Sequence, residues 1–222
     1  MNSLTMEPTF HRFKWIVQPL RGFRFSVDSV ILAHSVRSVD IRYVVELGAG
    51  SGIISLLLYS HSIGKHFWLI ERNPVMCDAL YHTVDVNRVH LVFDIICSDV
   101  SNVTLMQFAD LVIFNPPYYS KHSSRGSMAV SGDIDSFLEV SAKLVNNDGI
   151  VAYIISDHQL DHARQLEEKL ELHLLYVSDY YSNRGKHRYV RILSPKPQFI
   201  TFEERYPLNG ERVQKFYHDG RE

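Results

Sequence analysis

Cysteine is scarce in this chain, with 2 in 222 residues, and Cys77 and Cys97 stand too far apart in sequence for a Cys-x-x-Cys redox or zinc pair. A chain of this length needs no disulfide to fold, so both are expected as reduced thiols in the core. An excess of charge of one sign is also missing. Lys and Arg number 23 against 25 Asp and Glu, a formal net charge of -2, so any affinity for nucleic acid must come from a local patch. Long apolar runs are absent as well. Segments 53–58 and 150–155 fall far short of the roughly 20 residues a bilayer demands, and no membrane span is expected. The opening residues lack a basic leader followed by an apolar stretch, which argues against a secretory signal and for the cytoplasm. With 8 Pro and 11 Gly, collagenous and low-complexity readings fall away. The 45% hydrophobic and 22% charged residues are the composition of one folded domain with a small addition.

What is present is an alternation of apolar runs and helical patterns. Tyr43 to Leu47 ends in Gly48-Ala49-Gly50-Ser51-Gly52, and Ile53 to Leu58 can continue as a buried helix. Phe67 to Ile70 reads as a second strand closed by Glu71. Asn73-Pro74 then opens a helix carrying Met76, Leu80, Val84 and Val86. Val92 to Cys97, Leu111 to Phe114 and Ile150 to Ile155 continue the strands, with a helix over 134–145 that Asn147-Asp148-Gly149 is expected to stop. This order predicts an α/β fold with a largely parallel, doubly wound sheet. A charged helix follows over 159–170, and Leu172 to Val177 with Tyr189 to Leu193 read as a closing antiparallel pair. Ahead of the sheet, Ser26 and Asp28 are placed to cap a helix through Ile31, Leu32 and Val36.

Glycines 48, 50 and 52 at a strand-to-helix turn let the backbone approach a ligand closely, and Glu71 on the adjacent strand can accept hydrogen bonds from ribose hydroxyls. Taken alone, this is equally a tight turn beside a surface acid. The choice between nucleoside cofactors turns on charge. The glycines run Gly-x-Gly-x-Gly rather than Gly-x-Gly-x-x-Gly, and Glu46 stands at the strand end, where a pyrophosphate would meet an unwanted negative charge. An acid there suits a cationic ligand, and S-adenosylmethionine carries an ammonium and a sulfonium. Glu46 is expected to orient its amino-acid part, Glu71 to hold its ribose, and Asp99, after the strand ending at Cys97, to accept from the adenine amino group.

The most specific signal is Asn115-Pro116-Pro117-Tyr118, directly after Leu111 to Phe114. By composition it should arise in about one chain of this length in a thousand. Consecutive prolines stiffen the turn and remove two amide donors, so the Asn115 side-chain oxygen and the Pro116 carbonyl remain as acceptors able to grip an NH2 group. A conjugated amino nitrogen is a poor nucleophile, and two acceptors on its hydrogens favour pyramidalisation and release its lone pair. Tyr118 offers a ring for the substrate to stack on. Methyl transfer from a sulfonium expels a neutral thioether, so positioning supplies most of the gain and no strong base is required.

In this order and spacing, Gly48 to Gly52, Glu71, Asp99 and Asn115 to Tyr118 resemble the class I methyltransferases that modify exocyclic or amide NH2 groups. With Gln18 to Ala33 ahead of the glycine turn, the chain resembles the bacterial tRNA1(Val) adenine-37 N6-methyltransferase family. The resemblance implies a Rossmann-like class I methyltransferase fold, with a mostly parallel seven-stranded sheet and an antiparallel edge strand. The pattern along the chain divides it into a 1–40 extension packed on one edge of the sheet, on the cofactor side, and a 41–222 methyltransferase domain. The resemblance also implies that Phe25, Ser26 and Asp28 close over the cofactor, and that the substrate is an adenine in the anticodon loop of a valine tRNA.

An RNA substrate needs phosphate contacts, and Arg184, Lys186, Arg188, Arg191 and Lys196, interleaved with Tyr180, Tyr181 and Tyr189, form a stretch that fits. Arg12, Lys14, Arg21 and Arg24 offer a second strip, and Lys121 opens a polar loop after the proline turn. The target base would be splayed out beside Tyr118. Two alternatives use the same turn, methylation of a protein glutamine amide and methylation of ribosomal RNA. A non-catalytic RNA-binding protein on the same fold is a third. His158 and His162 lack a third ligand, so no metal is expected. The chain is expected to act as a monomer or weak homodimer.

Overall fold

The computed structural model describes residues 4–8, 15–21, 24–37, 40–104, 106–116, 134–197 and 202–218. Five parallel strands form the middle and one flank of a single large sheet: β3 (Tyr43–Leu47), β4 (His66–Glu71), β5 (Phe93–Cys97), β6 (Ala109–Phe114) and β7 (Val145–Ser156). They lie in the spatial order β5-β4-β3-β6-β7. The sheet continues through β9 (His187–Ser194), antiparallel to β7, then β8 (His173–Tyr181), antiparallel to β9, and ends at β10 (Phe202–Pro207), parallel to β8. The α/β class and mostly parallel sheet agree with the expectation; two details differ. Among the described residues the sheet has eight strands rather than seven, and the antiparallel strand β9 lies inside it while the edge strand β10 is parallel. Phe-Glu-Glu-Arg-Tyr-Pro is too charged to declare itself a strand. The open edge of β8 supplies the hydrogen bonds that make it one.

The strands are apolar almost without interruption because both faces of the sheet are covered. Alternate residues point to opposite sides. Val44, Leu69, Leu111, Ile113 and Ile154 pack with α1 (Val27–Ser35), α2 (Ile53–Ser60), α3 (Pro74–Val86) and α6 (Glu211–His218). Val45, Leu47, Val112, Phe114 and Tyr153 pack with α4 (Ile134–Leu144) and α5 (Asp157–Lys169). Pro74 begins α3 behind an Asn73 cap whose Oδ1 accepts from Val75 N at 3.0 Å, as the sequence predicts. Asn147-Asp148-Gly149 behaves otherwise. These residues lie within β7, across a register shift opposite Ala109 and Leu111. A Cβ at Gly149 would sit 2.7 Å from the Ala109 carbonyl oxygen, so the glycine serves a close strand crossing rather than a helix stop.

Chain 4–35 adds two pieces that the sequence does not announce together. β1 (Leu4–Pro8) and β2 (Trp15–Pro19) form an antiparallel hairpin on α3, where Trp15 N donates to Asn87 Oδ1 (2.8 Å) and Val17 N to Thr83 Oγ1 (3.0 Å). α1 enters the core with Val30, Ile31 and Leu32 fully buried. Of the two cysteines, Cys77 is buried as expected, but Cys97 is exposed, because it is the last residue of strand β5 at the rim of the sheet.

The expected RNA strip is broken up by the fold. Arg191 is 3% exposed and forms a two-pronged ion pair with Glu167 of α5, Nε to Oε1 at 2.6 Å and Nη2 to Oε2 at 2.5 Å. Tyr153 also donates to that carboxylate. Arg191 is therefore an internal group and not an RNA contact; strand alternation turns it under α5. Tyr180 is fully buried, and Lys196 lies at the opposite end of β9 from the hairpin turn, paired with Asp148. Arg24 pairs with Glu7, Arg21 is exposed, and Arg12 and Lys14 lie outside the described residues.

Removing one partner of a buried pair leaves the other charge uncompensated at a cost of about 3–5 kcal/mol, whereas replacing both by apolar side chains is close to neutral. Arg191→Met alone should lower the urea midpoint accordingly, and Arg191→Met with Glu167→Leu should recover most of it. Equal midpoints for Arg191→Met and the wild-type chain would show that the pair does not form.

Candidate active site

Strand order reverses direction at β3. From β3 the chain passes through α2 to β4 on one side, while β6, reached only later, pairs on the other. A crevice opens at the carboxyl ends of strands where such a switch occurs. Here its walls are fixed by register. Leu47 pairs with Phe114, so the next residues, Gly48 and Asn115, face each other across it.

The turn after β3 depends on backbone that a side chain would strain. Gly48, Gly50 and Gly52 have φ of 66°, 57° and 82°, values glycine adopts without penalty. A Cβ at Gly52 would lie 2.6 Å from Leu80 Cδ1, so α3 packs directly on the turn. At Gly50 the nearest atom to such a Cβ is Met76 Cε at 3.6 Å, leaving that residue backed by α3 but not crowded. Glu71 closes the turn from β4. It is 9% exposed, its Oε2 accepts from Gly50 N at 2.9 Å and its Oε1 from Asn73 N at 2.8 Å. Each carboxylate oxygen has a second lone pair, so these bonds fix Glu71 without exhausting it.

Asp99 follows β5, the next strand outward. Its Oδ1 accepts from Ser101 N (3.0 Å) and Ser101 Oγ (2.8 Å), and Arg72 Nη1 donates to Oδ2 at 2.8 Å. The Ser101 amide and then the Arg72 guanidinium hold its carboxyl down at about 2. Glu71 and Asp99 thus stand at neighbouring strand ends with Arg72 between them, a residue the sequence pattern gives no reason to select.

Glu46, expected beside the amino-acid part of the cofactor, has its carboxylate at the start of α2. It is 1% exposed and points behind the turn, where Ser55 N (3.0 Å) and Ser55 Oγ of α2 donate to its Oε2. Burial pushes its carboxyl up to about 7 against the lowering effect of both Ser55 bonds, with the nearby Glu71 charge adding to the rise.

The proline turn is described through Pro116. Asn115 is half-buried, Pro116 is buried, and Asn115 Nδ2 donates to Ser29 Oγ at 3.0 Å. Pro117, Tyr118 and Lys121 lie outside the described residues. Ser29 belongs to the first turn of α1, which also carries Asp28, 5% exposed and paired with Arg188 Nε at 3.0 Å. Ser26 occupies the N-cap position of α1 without a side-chain cap bond. Phe25 N donates to Oε1 of the buried Gln18 at 3.0 Å. The segment Phe25 to Ser29 is thereby tied to β2, β6 and β9 at once. Gln18 and Ser29 escape sequence reasoning because their partners are brought near only by the fold. Arg188, expected on RNA, has Asp28 as its ion-pair partner, while Arg184 and Lys186 are exposed in the β8–β9 turn. Among the described residues no group of three or more His, Cys, Asp or Glu is placed to hold a metal ion, and no helix is long and apolar enough to cross a membrane.

A parallel sheet with a glycine turn, an acid on each of the next two strand ends and a polar-proline turn across the switch point defines a Rossmann-like class I methyltransferase. Residues 24–193 match the methyltransferase small domain, and the chain belongs to that family. It is similar to proteins called tRNA1(Val) (adenine(37)-N6)-methyltransferase. The one from Shewanella baltica is 24% identical over 214 residues, spanning 87% of this chain and 88% of that protein. The one from Aliivibrio salmonicida is 24% identical over 178 residues, spanning 75% and 74%. Among solved structures, M. jannaschii TYW2 in complex with AdoMet superposes with a TM-score of 0.64 at 17% identity, covering 87% of this chain and 86% of that one. P. horikoshii TYW2 in complex with MeSAdo gives 0.64 at 15% identity, covering 88% and 73%. These structural likenesses are likenesses of fold.

The raised Glu46 carboxyl makes stability depend on pH. The unfolded chain releases that proton near 4.5 and the folded chain near 7, so between these values the native state binds the extra proton and stability falls as pH rises. Relative to the wild-type chain, Glu46→Gln should gain on the order of 3 kcal/mol across that window in urea unfolding. A difference that stays constant with pH would contradict the buried, protonated carboxyl.

Proposed function

We propose that the protein transfers a methyl group from S-adenosylmethionine to the exocyclic N6 of an adenine in tRNA. The observation that carries this reading is the meeting of Asn115 with the glycine turn across the β3/β6 crevice, with the asparagine amide held by Ser29 at 3.0 Å. A side chain so fixed can present Oδ1 to an amino group without reorganising, which is where positioning lowers a barrier. The family assignment and the names of the relatives at 24% identity support the same conclusion.

The residues present fit the cofactor. Glu71 keeps lone pairs for the two ribose hydroxyls, the glycine backbone allows close approach, and Asp99 is a firmly ionised acceptor for the adenine amino group. When bound, S-adenosylmethionine supplies an electrophilic methyl on a sulfonium. Asn115 Oδ1 and the Pro116 carbonyl accept the two hydrogens of the target amino group and turn its lone pair outward. By sequence alone, Pro117 is assigned to stiffen that corner and Tyr118 to stack on the base. Glu46 supports the turn from behind through Ser55. Phe25, Ser26 and Asp28 border the cofactor side, with Asp28 held by Arg188.

Incubation with labelled methyl donor and separate pools of tRNA, ribosomal RNA and ribosomal proteins, followed by digestion, tests the reading. Label recovered as N6-methyladenosine from tRNA supports it. Label confined to ribosomal RNA or to glutamine overturns it, and failure to bind S-adenosylmethionine in a calorimetric titration would leave only a binding protein. Asn115→Ala should lower kcat on the order of 100-fold with cofactor affinity nearly unchanged, since its contact is made at the reacting centre. Glu71→Gln should instead weaken cofactor binding roughly 10-fold or more, and an unaltered Kd would remove its ribose role.

A further inference from the structure

The β8–β9 hairpin carries a file of rings on the face of the sheet that α5 covers further along. Tyr189 and His187 are alternate residues of β9 and share that face, and Tyr181 of β8 stands directly opposite His187. Their ring centroids are 6.0 Å apart for His187 and Tyr189, at 12° between planes, and 6.4 Å apart for Tyr181 and His187. Arg205 of β10 places its guanidinium carbon 5.6 Å from the centre of the Tyr181 ring. A carboxylate beneath sets the file. The Asp179 side chain, 13% exposed, accepts from His187 Nδ1 at 2.7 Å and from Arg205 Nε at 3.1 Å. One acid thus orients a ring on one neighbouring strand and pairs with a cation on the other. Two residues beyond Tyr189, Arg191 is 3% exposed under α5, whereas the His187 side chain is 28% exposed and that of Arg205 69%.

Position relates this file to the site. Tyr189 pairs with Ile155 of β7, two residues past Tyr153, which pairs with Phe114 of β6. The Tyr189 backbone therefore stands one residue past the level of Asn115 and two strand spacings away, roughly 10 Å, with Tyr181 one spacing further; the rings lie on the α5 face, whereas the Asn115 side chain meets Ser29 of α1 on the other. Arg184 and Lys186 rim the file from the exposed turn. Flat rings in series with cations at their margin suit a single-stranded nucleic acid, because every base has a face to stack and every linkage a phosphate.

We propose that Tyr181, His187 and Tyr189 form a stacking platform for unpaired bases flanking the modified nucleotide of an RNA substrate, with Arg184, Lys186 and Arg205 engaging its phosphates. The proposal deepens the tRNA-methylation reading and rests on it. It replaces the linear basic strip of the sequence with a surface drawn from three strands, including Arg205, which no pattern near the other residues foretells.

The test uses the full chain and a short single-stranded oligoadenylate carrying 2-aminopurine, whose fluorescence is quenched by stacking. The wild-type chain and Tyr181→Phe should bind and quench alike, while Tyr181→Leu should lose quenching and bind about 10-fold more weakly, the effect of one lost base–ring contact. A second variant leaves the strands untouched. Arg184→Ala with Lys186→Ala should reduce the slope of log affinity against log salt by about 1.4. Tyr181→Leu matching Tyr181→Phe, an unchanged salt slope, or no quenching by the wild-type chain would each overturn the platform. So would a loss in Tyr181→Leu seen only with a ribosomal-protein substrate, which would make this a protein-docking surface. Methyl transfer to bulk tRNA separates the two readings. Transfer without oligonucleotide quenching removes the platform alone, and quenching without transfer to any RNA removes the methylation reading while keeping an RNA-stacking surface.

Discussion

The Glu71 carboxylate bound to the amides of Gly50 and Asn73 is the tie on which the rest of the site depends. It joins the end of β4 to a turn whose three glycines have left-handed backbone, and α3 begins at once behind it with Asn73 as cap. A loop of that shape has few internal bonds to hold it. The neighbouring strand end supplies the anchor, and the packing of Leu80 against Gly52 prevents the turn from relaxing into ordinary helix entry. The crevice beside it then has one fixed wall in Gly48 and one in Asn115.

The second wall is held from an unexpected direction. Asn115 is bonded to Ser29, and the adjoining Asp28 is bonded to Arg188. The first turn of α1 therefore connects the end of β6 with the start of β9, on the face of the sheet opposite the Tyr181, His187 and Tyr189 rings. The acids differ in setting, with Asp99 one-third exposed and Glu46 and Glu167 buried. Asp99 is held ionised by Ser101 and Arg72, Glu167 is neutralised by Arg191, and Glu46, without a cation, is pushed toward its protonated form.

The central strands and the glycine turn were legible because both rest on local pattern, apolar runs of fixed length followed by residues suited to left-handed turns. Asn115 and Pro116 stand out in the sequence as the start of a four-residue motif, and the fold puts Asn115 at the end of β6 opposite the glycine turn. What failed to show was whatever depends on distant partners. Arg191 reads as one more surface cation until strand alternation places it beneath α5, opposite Glu167 in a helix that itself reads as charged. Leu4–Pro8 and Phe202–Pro207 have too little alternation to announce strands, and each is made one by a neighbour, β2 for the first and β8 for the second. Glu46 stands out in the sequence as an acid at a strand end, but its partner Ser55 is brought to it only by the start of α2.

The most direct measurement is a crystal structure of the chain with S-adenosylhomocysteine bound. The ribose should lie against Glu71, the adenine beside Asp99 and the sulfur in the β3/β6 crevice facing Asn115. A nucleoside bound elsewhere, or a sulfur on the far side of the glycine turn from Asn115, would contradict this arrangement.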